Sequence, residues 1–332
     1  MITRIKSILR RLFPFLLPVA TFPVFLYDYI RYCRYSGTIS YKSNPKKIIG
    51  KVMVNTHVIE KGLTMPEVRL GFGYTKIEKL IDDCFLYLQK YNNGEIDYHI
   101  KHAVEVLNEY KEYHFNYGYE LDKTILLRIN QLSDKSTITS HSRQFCKDKS
   151  QIFASSYSCF EDFALSRKSV RGYSNEKISL QKIHQAVELS KYAPCSCNRQ
   201  SSRVHVFTNQ KHVNDILNFQ GGNKGFGHLA TMVIVITVDL SYYHAVFERN
   251  EPLIDGGIFA MNLIYALHSK GIATCSLNTC FSKKRELQLR KIAAIPKSES
   301  LIMMIACGLP LQTIKYTVSG KYPTSSFIIH HE

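Results

Sequence analysis

Met232-Val233-Ile234-Val235-Ile236-Thr237-Val238 is an unbroken run of apolar and β-branched residues, the pattern of a strand covered on both faces. Downstream of it an apolar helix is expected from about Ile254 to Lys270, ended by Gly271. Strands at Ala273–Leu277 and Leu301–Cys307 follow, with a helix over Lys283–Ile292 between them. Upstream, Ser179 caps a helix carrying Ile183, Ala186, Val187 and Ser190 on one side, and a strand lies near Val204 to Thr208. Strands alternating with helices put this half of the chain in the α+β or α/β class.

The half before it has a different rhythm. Ile77, Leu80, Ile81, Cys84, Phe85 and Leu88 recur at helical spacing, as do Ile100, Ala103, Val104 and Leu107, and then Ile125, Leu126, Ile129 and Leu132. An earlier helix around Ile48 to Glu60 turns Ile48, Ile49, Val52 and Met53 inward and stops near Gly62. Between Ser133 and Ser158 the chain becomes polar and loses its periodicity, which reads as a linker. The expected division is residues 1–35, an N-terminal basic and apolar segment; 36–132, a small all-helical region; 133–158, a linker; and 159–332, the α+β domain. No internal repeat is visible.

The 332 residues are 45% hydrophobic, enough for one or two ordinary cores. A net charge of +16 favours anionic partners: nucleic acid, phosphate-bearing ligands or an anionic membrane. The charge is spread along the chain with no recognition motif, so nucleic acid is the partner it favours least. Nine cysteines without framework spacing point to free thiols in a reducing, cytoplasmic compartment. At the N-terminus, Arg4, Lys6, Arg10 and Arg11 precede an apolar stretch from Leu12 to Tyr27 broken by Pro14, Pro18 and Pro23. Its 16 residues are short of the roughly 20 a spanning helix needs, and the prolines remove helix bonds. It reads as a segment lying on the inner surface of the cell membrane, flanked by Arg31 and Arg34, with packing on the rest of the protein or a partner as the first alternative and a cleaved signal or true span as the second.

Four stretches carry chemistry. In Ser166-Arg167-Lys168-Ser169-Val170-Arg171-Gly172-Tyr173, two arginines four apart on a helical or turn segment, with a hydroxyl midway, can converge on one phosphate. Ala193-Pro194-Cys195-Ser196-Cys197-Asn198-Arg199-Gln200 ends a helix and can set backbone donors and an amide against a planar heterocycle. Asp255-Gly256-Gly257 opens the long apolar helix, where glycines permit close approach of a ligand. Gly308-Leu309-Pro310 closes the last strand, and Lys315 and Lys321 follow it.

In order and spacing these four resemble the nitroreductase family of flavoenzymes, over roughly Phe160 to the C-terminus. The resemblance implies an α+β fold, a mixed sheet flanked by helices, dimerising with FMN at the subunit interface. Arg167, Lys168, Ser169 and Arg171 would then lie at the FMN phosphate and ribityl end, with Lys321 near the phosphate. Pro194, Cys195, Ser196 and Asn198 would approach the flavin from the other subunit, and Leu277 and Asn278 would lie near its ring. The implied reaction passes hydride from NADH or NADPH through flavin to a small-molecule acceptor, with no protein acid or base required. Three departures stand out: Cys195 where the family usually has Ser, Ser201 where an aromatic is common, and Cys275-Ser276-Leu277-Asn278 where a Glu-Gly is usual. The alternative is a non-catalytic flavin- or anion-binding protein on the same fold that docks on a membrane or partner.

His57-Val58-Ile59-Glu60-Lys61-Gly62-Leu63 resembles the extension of bacterial nitroreductase-like proteins linked with cell-surface polysaccharide synthesis. His57 and Glu60 share a helix face and suit ligand binding or proton coupling; otherwise this is a helix end with Glu60 exposed and Gly62 as its cap. Gly221 to Gly227 lacks the Lys-Ser/Thr of a phosphate-binding P-loop and reads as a flexible loop and lid. No cysteine pair has metal spacing, and no metal is expected.

Overall fold

The computed structural model describes residues 16–64, 68–91, 94–142, 144, 160–314 and 323–331. The run at Met232 is indeed the centre: strand β2 (Met232–Asp239) is buried at all eight positions. β1 (Ser202–Phe207) pairs with it on one side and β4 (Glu299–Gly308) on the other, and β3 (Ala273–Leu277) closes the order β1-β2-β4-β3. Side chains of β2 alternate between two cores. Val233 and Val235 join Val213, Ile216 and Leu217 of α8 (Gln210–Gln220) and Leu289 of α10 (Lys283–Ile292). Ile234 and Ile236 meet Ile183 and Ala186 of α7 (Leu180–Ser190) and Leu263 and Leu267 of α9 (Glu251–Ser269). Each such buried aliphatic side chain stabilises the fold by about 1.5–3 kcal/mol, which is why an almost purely apolar strand sits in the middle.

The fold is α+β, with helices on both faces of the sheet. Its strands pair antiparallel throughout, and the parallel component of the expected mixed sheet reduces to an isolated bridge between Ser169 and Thr274. α8 and α10 each join antiparallel neighbours, whereas α9 carries the chain past β4 from β2 to β3, two strands that run the same way without pairing. α8 was not anticipated from the sequence. Its signals are present all the same: Asn209 accepts from the N–H groups of Lys211 and His212, apolar residues follow at helical spacing, and Gly221 ends it at φ 75°.

The helical region is α2 (Pro45–Leu63), α3 (Tyr74–Tyr91), α4 (Tyr98–Asn116) and α5 (Lys123–Ser136), around one core built from the periodic residues. Asp97 and Asp122 cap α4 and α5. The polar stretch begins later than its composition suggests. Ser133 donates to Asn108 Oδ1 at 2.9 Å, Ser136 donates to the Leu132 carbonyl, and Asn108 Nδ2 reaches the carbonyls of Ile138 and Ser140. Polar groups satisfied in this way can stay inside a helical core. Most of the expected linker, residues 145–158, lies outside the described residues.

Helical region and sheet are joined at one end of β2. Lys46 donates to the buried Asp239 at 2.7 Å, and Gly50 passes so close that a Cβ there would lie 2.9 Å from Tyr242 Cα. α1 (Leu16–Tyr35) precedes this junction with Pro23 inside it. One face of α1 is docked: Arg31 donates to the Glu299 carbonyl and the Ser300 hydroxyl, both at 3.2 Å, and Tyr32 donates to the Ala245 carbonyl at 2.7 Å. Packing on the protein thus accounts for one side of the N-terminal segment. Among the described residues no helix is long and apolar enough to cross a membrane.

Candidate functional site: two corners of the sheet

The arginine segment is extended, not helical. α6 (Phe160–Ser166) ends before it, the Val170 N–H donates to the Thr274 carbonyl at 2.9 Å, and Ser169 bridges Thr274 on β3. Tyr173 fixes the turn after it, donating to the Val170 and Ala306 carbonyls; Gly308 gives it room, since a Cβ there would lie 2.5 Å from the Tyr173 side chain. In an extended chain residues i, i+2 and i+4 share a side, so Arg167, Ser169 and Arg171 belong together and Lys168 does not. Lys168 instead lines a cavity of about 530 Å³ with Val170, His268, Thr274 and Pro310.

The Arg171 guanidinium lies 6.0 Å from the Phe226 ring centroid and beside the Cys275 thiol, whose pKa burial raises against the pull of that guanidinium. Arg167 stands near His268, whose pKa is lowered by burial and then by the arginine. Neither Arg167 nor Arg171 forms an ion pair with a described carboxylate. Leu277 is buried, and the Asn278 carbonyl accepts from Gln220 Nε2 at 3.2 Å. That bond belongs to the Gly221–Gly227 loop, which is not the free lid expected. Gln220 Oε1 accepts from the Gly222 N–H and from Asn223 Nδ2, Asn223 is buried, and a Cβ on Gly227 would fall 1.9 Å from its Oδ1. Two buried amides close the loop internally, a constraint its glycine count concealed. Lys315 and Lys321 lie outside the described residues.

The Pro194–Gln200 loop occupies the far corner. Cys197, Asn198 and Gln200 all have left-handed φ, 51°, 51° and 47°, a conformation that costs a non-glycine residue about 1–2 kcal/mol. The device that holds them was missed in the sequence. Asp255, buried at the start of α9, accepts the Ser196 N–H at 2.9 Å and the Tyr243 hydroxyl at 2.7 Å, and Ser201 in turn donates to Tyr243. Buried Arg199 pairs with Glu248 and lies 4.9 Å from the Tyr243 ring centroid. Burial works against the Glu248 carboxylate, but the His244 N–H and the Arg199 guanidinium outweigh it and hold its carboxyl below the usual range. Cys195 Sγ accepts the Gln200 N–H at 3.3 Å, and burial raises its thiol pKa. The reading of Gly256 as an opening for a ligand is corrected: a Cβ there would lie 2.6 Å from Ile302 and 2.8 Å from Val238, so the glycine seats α9 on its own sheet.

The helical region touches this second corner. Thr56, His57, Glu60 and His102 line a recess of about 20 Å³ with Cys197 and Asn198, room for about one water. His102 Nε2 lies 2.8 Å from Glu60 Oε1 and His57 Nδ1 3.7 Å from Glu60 Oε2. The Glu60 hydrogen bond raises the His102 pKa against burial. Glu60 is therefore partly buried and paired across helices rather than an exposed helix end. Gly62 is not a cap either: α2 continues to Leu63, and a Cβ at Gly62 would overlap the Phe72 ring.

The two corners are diagonal. Ser202 is level with Ser300 through Val238, whereas Thr274 pairs with Cys307. The separation is about 24 Å along the strands and about 14 Å across them, farther than one FMN molecule reaches.

The α+β domain thus carries at one corner two arginines without an ion pair among the described residues, and at the other a strained, hydrogen-bonded loop. Residues 164–221 and 209–309, less than half of the chain, match the model of the Nitroreductase family. Similar solved structures include a putative nitroreductase in complex with FMN from Desulfovibrio desulfuricans (20% identity, TM-score 0.45, 52% of this chain and 96% of that one). Others are a nitroreductase-like protein from Streptococcus mutans (19%, TM-score 0.45, 52% and 98%) and a putative NADH dehydrogenase/NAD(P)H nitroreductase from Parabacteroides distasonis (23%, TM-score 0.44, 52% and 96%). No curated protein matches the chain.

Proposed function

We propose that the chain acts as a homodimeric FMN-dependent oxidoreductase that passes hydride from NADH or NADPH to a small-molecule acceptor, each flavin being shared between two copies. The diagonal placement of the two corners carries this reading. A twofold axis sets the arginine segment of one chain against the Pro194–Asn198 loop of the other, which a single chain cannot do. The exposed row Leu253, Ile254, Ile258 and Met261 on α9 offers an apolar surface for that contact.

Arg167 and Arg171, lacking a described carboxylate, suit a phosphate, with the Ser169 hydroxyl adding a donor. Ser196 and Asn198 present the loop to the ring, and the bond from Ser196 N–H to Asp255 fixes how closely it approaches. FMN, when bound, supplies the two-electron chemistry, so the chain's task is to bind and orient. Because the extension borders the loop corner and resembles that of polysaccharide-linked proteins, a sugar- or lipid-linked intermediate is the acceptor class to assay first.

The test is the visible spectrum of protein purified without added cofactor, followed by release and identification of any chromophore. Released FMN is the expected result. A colourless protein that takes up no added FMN would overturn the reading.

A further inference from the structure

The outward face of α1 has a composition that the proposed oxidoreductase does not use. Phe22, Phe25, Leu26, Tyr29 and Ile30 are all exposed, Phe25 to 70%. At helical spacing they fall within an arc of about 140°. The rest of the helix is pinned by Arg31 on Glu299 and Ser300, by Tyr32 on Ala245 at the stripe's edge, and by Lys283 Nζ lying 4.4 Å from the Tyr27 ring centroid. The helix therefore cannot roll over to bury its apolar stripe against its own domain. Five neighbouring apolar side chains left in water on a docked helix indicate a surface that something covers.

We propose that this stripe lies on an anionic lipid bilayer, parallel to its plane, and holds the protein on the membrane surface. Three observations choose lipid as the occupant. The stripe consists wholly of aromatic and aliphatic side chains, suited to the boundary between headgroups and acyl chains. Arg4, Lys6, Arg10 and Arg11 directly precede the helix in sequence and Arg34 sits in its last turn, in a chain of net charge +16, so the apolar stripe is bracketed by charge complementary to acidic headgroups. No helix among the described residues is long and apolar enough to span, and a stripe confined to one side of a helix suits a surface position. Tyr27, Arg31 and Tyr32 make the mount, so the sheet domain follows the helix at a fixed tilt.

The proposal does not depend on flavin. Its test is co-sedimentation of the full chain with phosphatidylcholine vesicles made with and without phosphatidylglycerol, for the natural protein and for Phe25→Glu/Ile30→Glu. Both positions are exposed, and circular dichroism confirms that the double variant is folded. The expected result is binding to the acidic vesicles that falls about tenfold or more in the double variant and weakens with salt. Absence of vesicle binding by the natural protein, or equal binding by the variant, would overturn it. So would a change in sedimentation coefficient of the variant without lipid, because the stripe would then be a contact between copies of the chain.

Discussion

The two corners of the sheet solve different recognition problems. At the β3 corner the backbone is extended, and the chemistry lies in long cationic side chains on a segment that the Ser169–Thr274 bridge ties to β3. At the β1 corner the chemistry lies in the backbone, with three non-glycine residues in left-handed geometry held by one buried carboxylate. Charge can be recognised by flexible forks, whose range absorbs small errors in position. A flat ring demands that atoms be placed closely, and here the placement is bought with strain and a hydrogen-bonded brace. The difference implies that damage at the first corner should weaken binding alone, while damage at the second should also cost stability.

The largest expected effect is at Asp255. Replacing it with Ala leaves the Ser196 N–H and the Tyr243 hydroxyl without their acceptor, a loss of about 4 kcal/mol in urea unfolding at about 1–3 kcal/mol per orphaned group. A loss below about 1 kcal/mol would show that the brace does not hold the corner.

Acid should loosen the same corner. His244, partly buried where the helical region meets the sheet and next to Glu248, with both ring nitrogens shielded from solvent, is held neutral with its pKa pushed down to about 4, burial being the main cause and Lys51 the next. The unfolded imidazole takes up its proton near 6.5, so stability is complete above that pH and falls as the pH drops, by about 3 kcal/mol by the time the folded group titrates. His102 has the opposite sign. Its raised pKa adds stability that is present below about 6.5 and fades as pH rises through the folded value, a smaller contribution because the ring is partly exposed. Thermal denaturation of the natural protein and His244→Gln from about pH 7.5 to 4.5 should show the steep acid loss only in the former.

At the other corner, Arg171→Ala should weaken FMN retention by about 1.5–3 kcal/mol, roughly 10- to 150-fold, measured by flavin fluorescence on dilution. Its melting temperature should stay unchanged, and a parallel drop in stability would erase the contrast between the corners. The smallest effect is expected for Cys197→Gly, which relieves one left-handed residue and should stabilise the chain by about 0.5–1 kcal/mol while loosening the loop. Unchanged stability would mean that the loop stores no strain at Cys197.

The sequence made the sheet domain legible because a strand buried on both faces has to be apolar at every position, and Met232 to Val238 is nearly so. The four-helix core was legible for the same reason at another period. The arginines, the Pro194 loop and the Leu277-Asn278 segment were found by order and spacing, but their geometry was not. The two arginines of an Arg-x-Ser-x-Arg string share a side in a helix and in a strand alike, so their spacing could not tell which. Asp255 was quoted only as the neighbour of two glycines. Its role depends on Ser196 and Tyr243, neither of which lies beside it in sequence. The same holds for Glu60 with His102, and for the Gly221 loop, where Gln220 and Asn223 supply the constraint.

The shared site is tested most directly by mixing two broken chains. Arg171→Ala disables one corner, and Ser196→Trp, which sets a bulky ring where the flavin ring would lie, disables the other. Each homodimer should purify almost free of FMN. Heterodimers, isolated with two different affinity tags, should recover one intact site formed from the sound loop of one chain and the sound arginines of the other, and so hold about half the flavin of the natural dimer. Heterodimers as empty as their parents would contradict the account, because each chain would then be building its site alone.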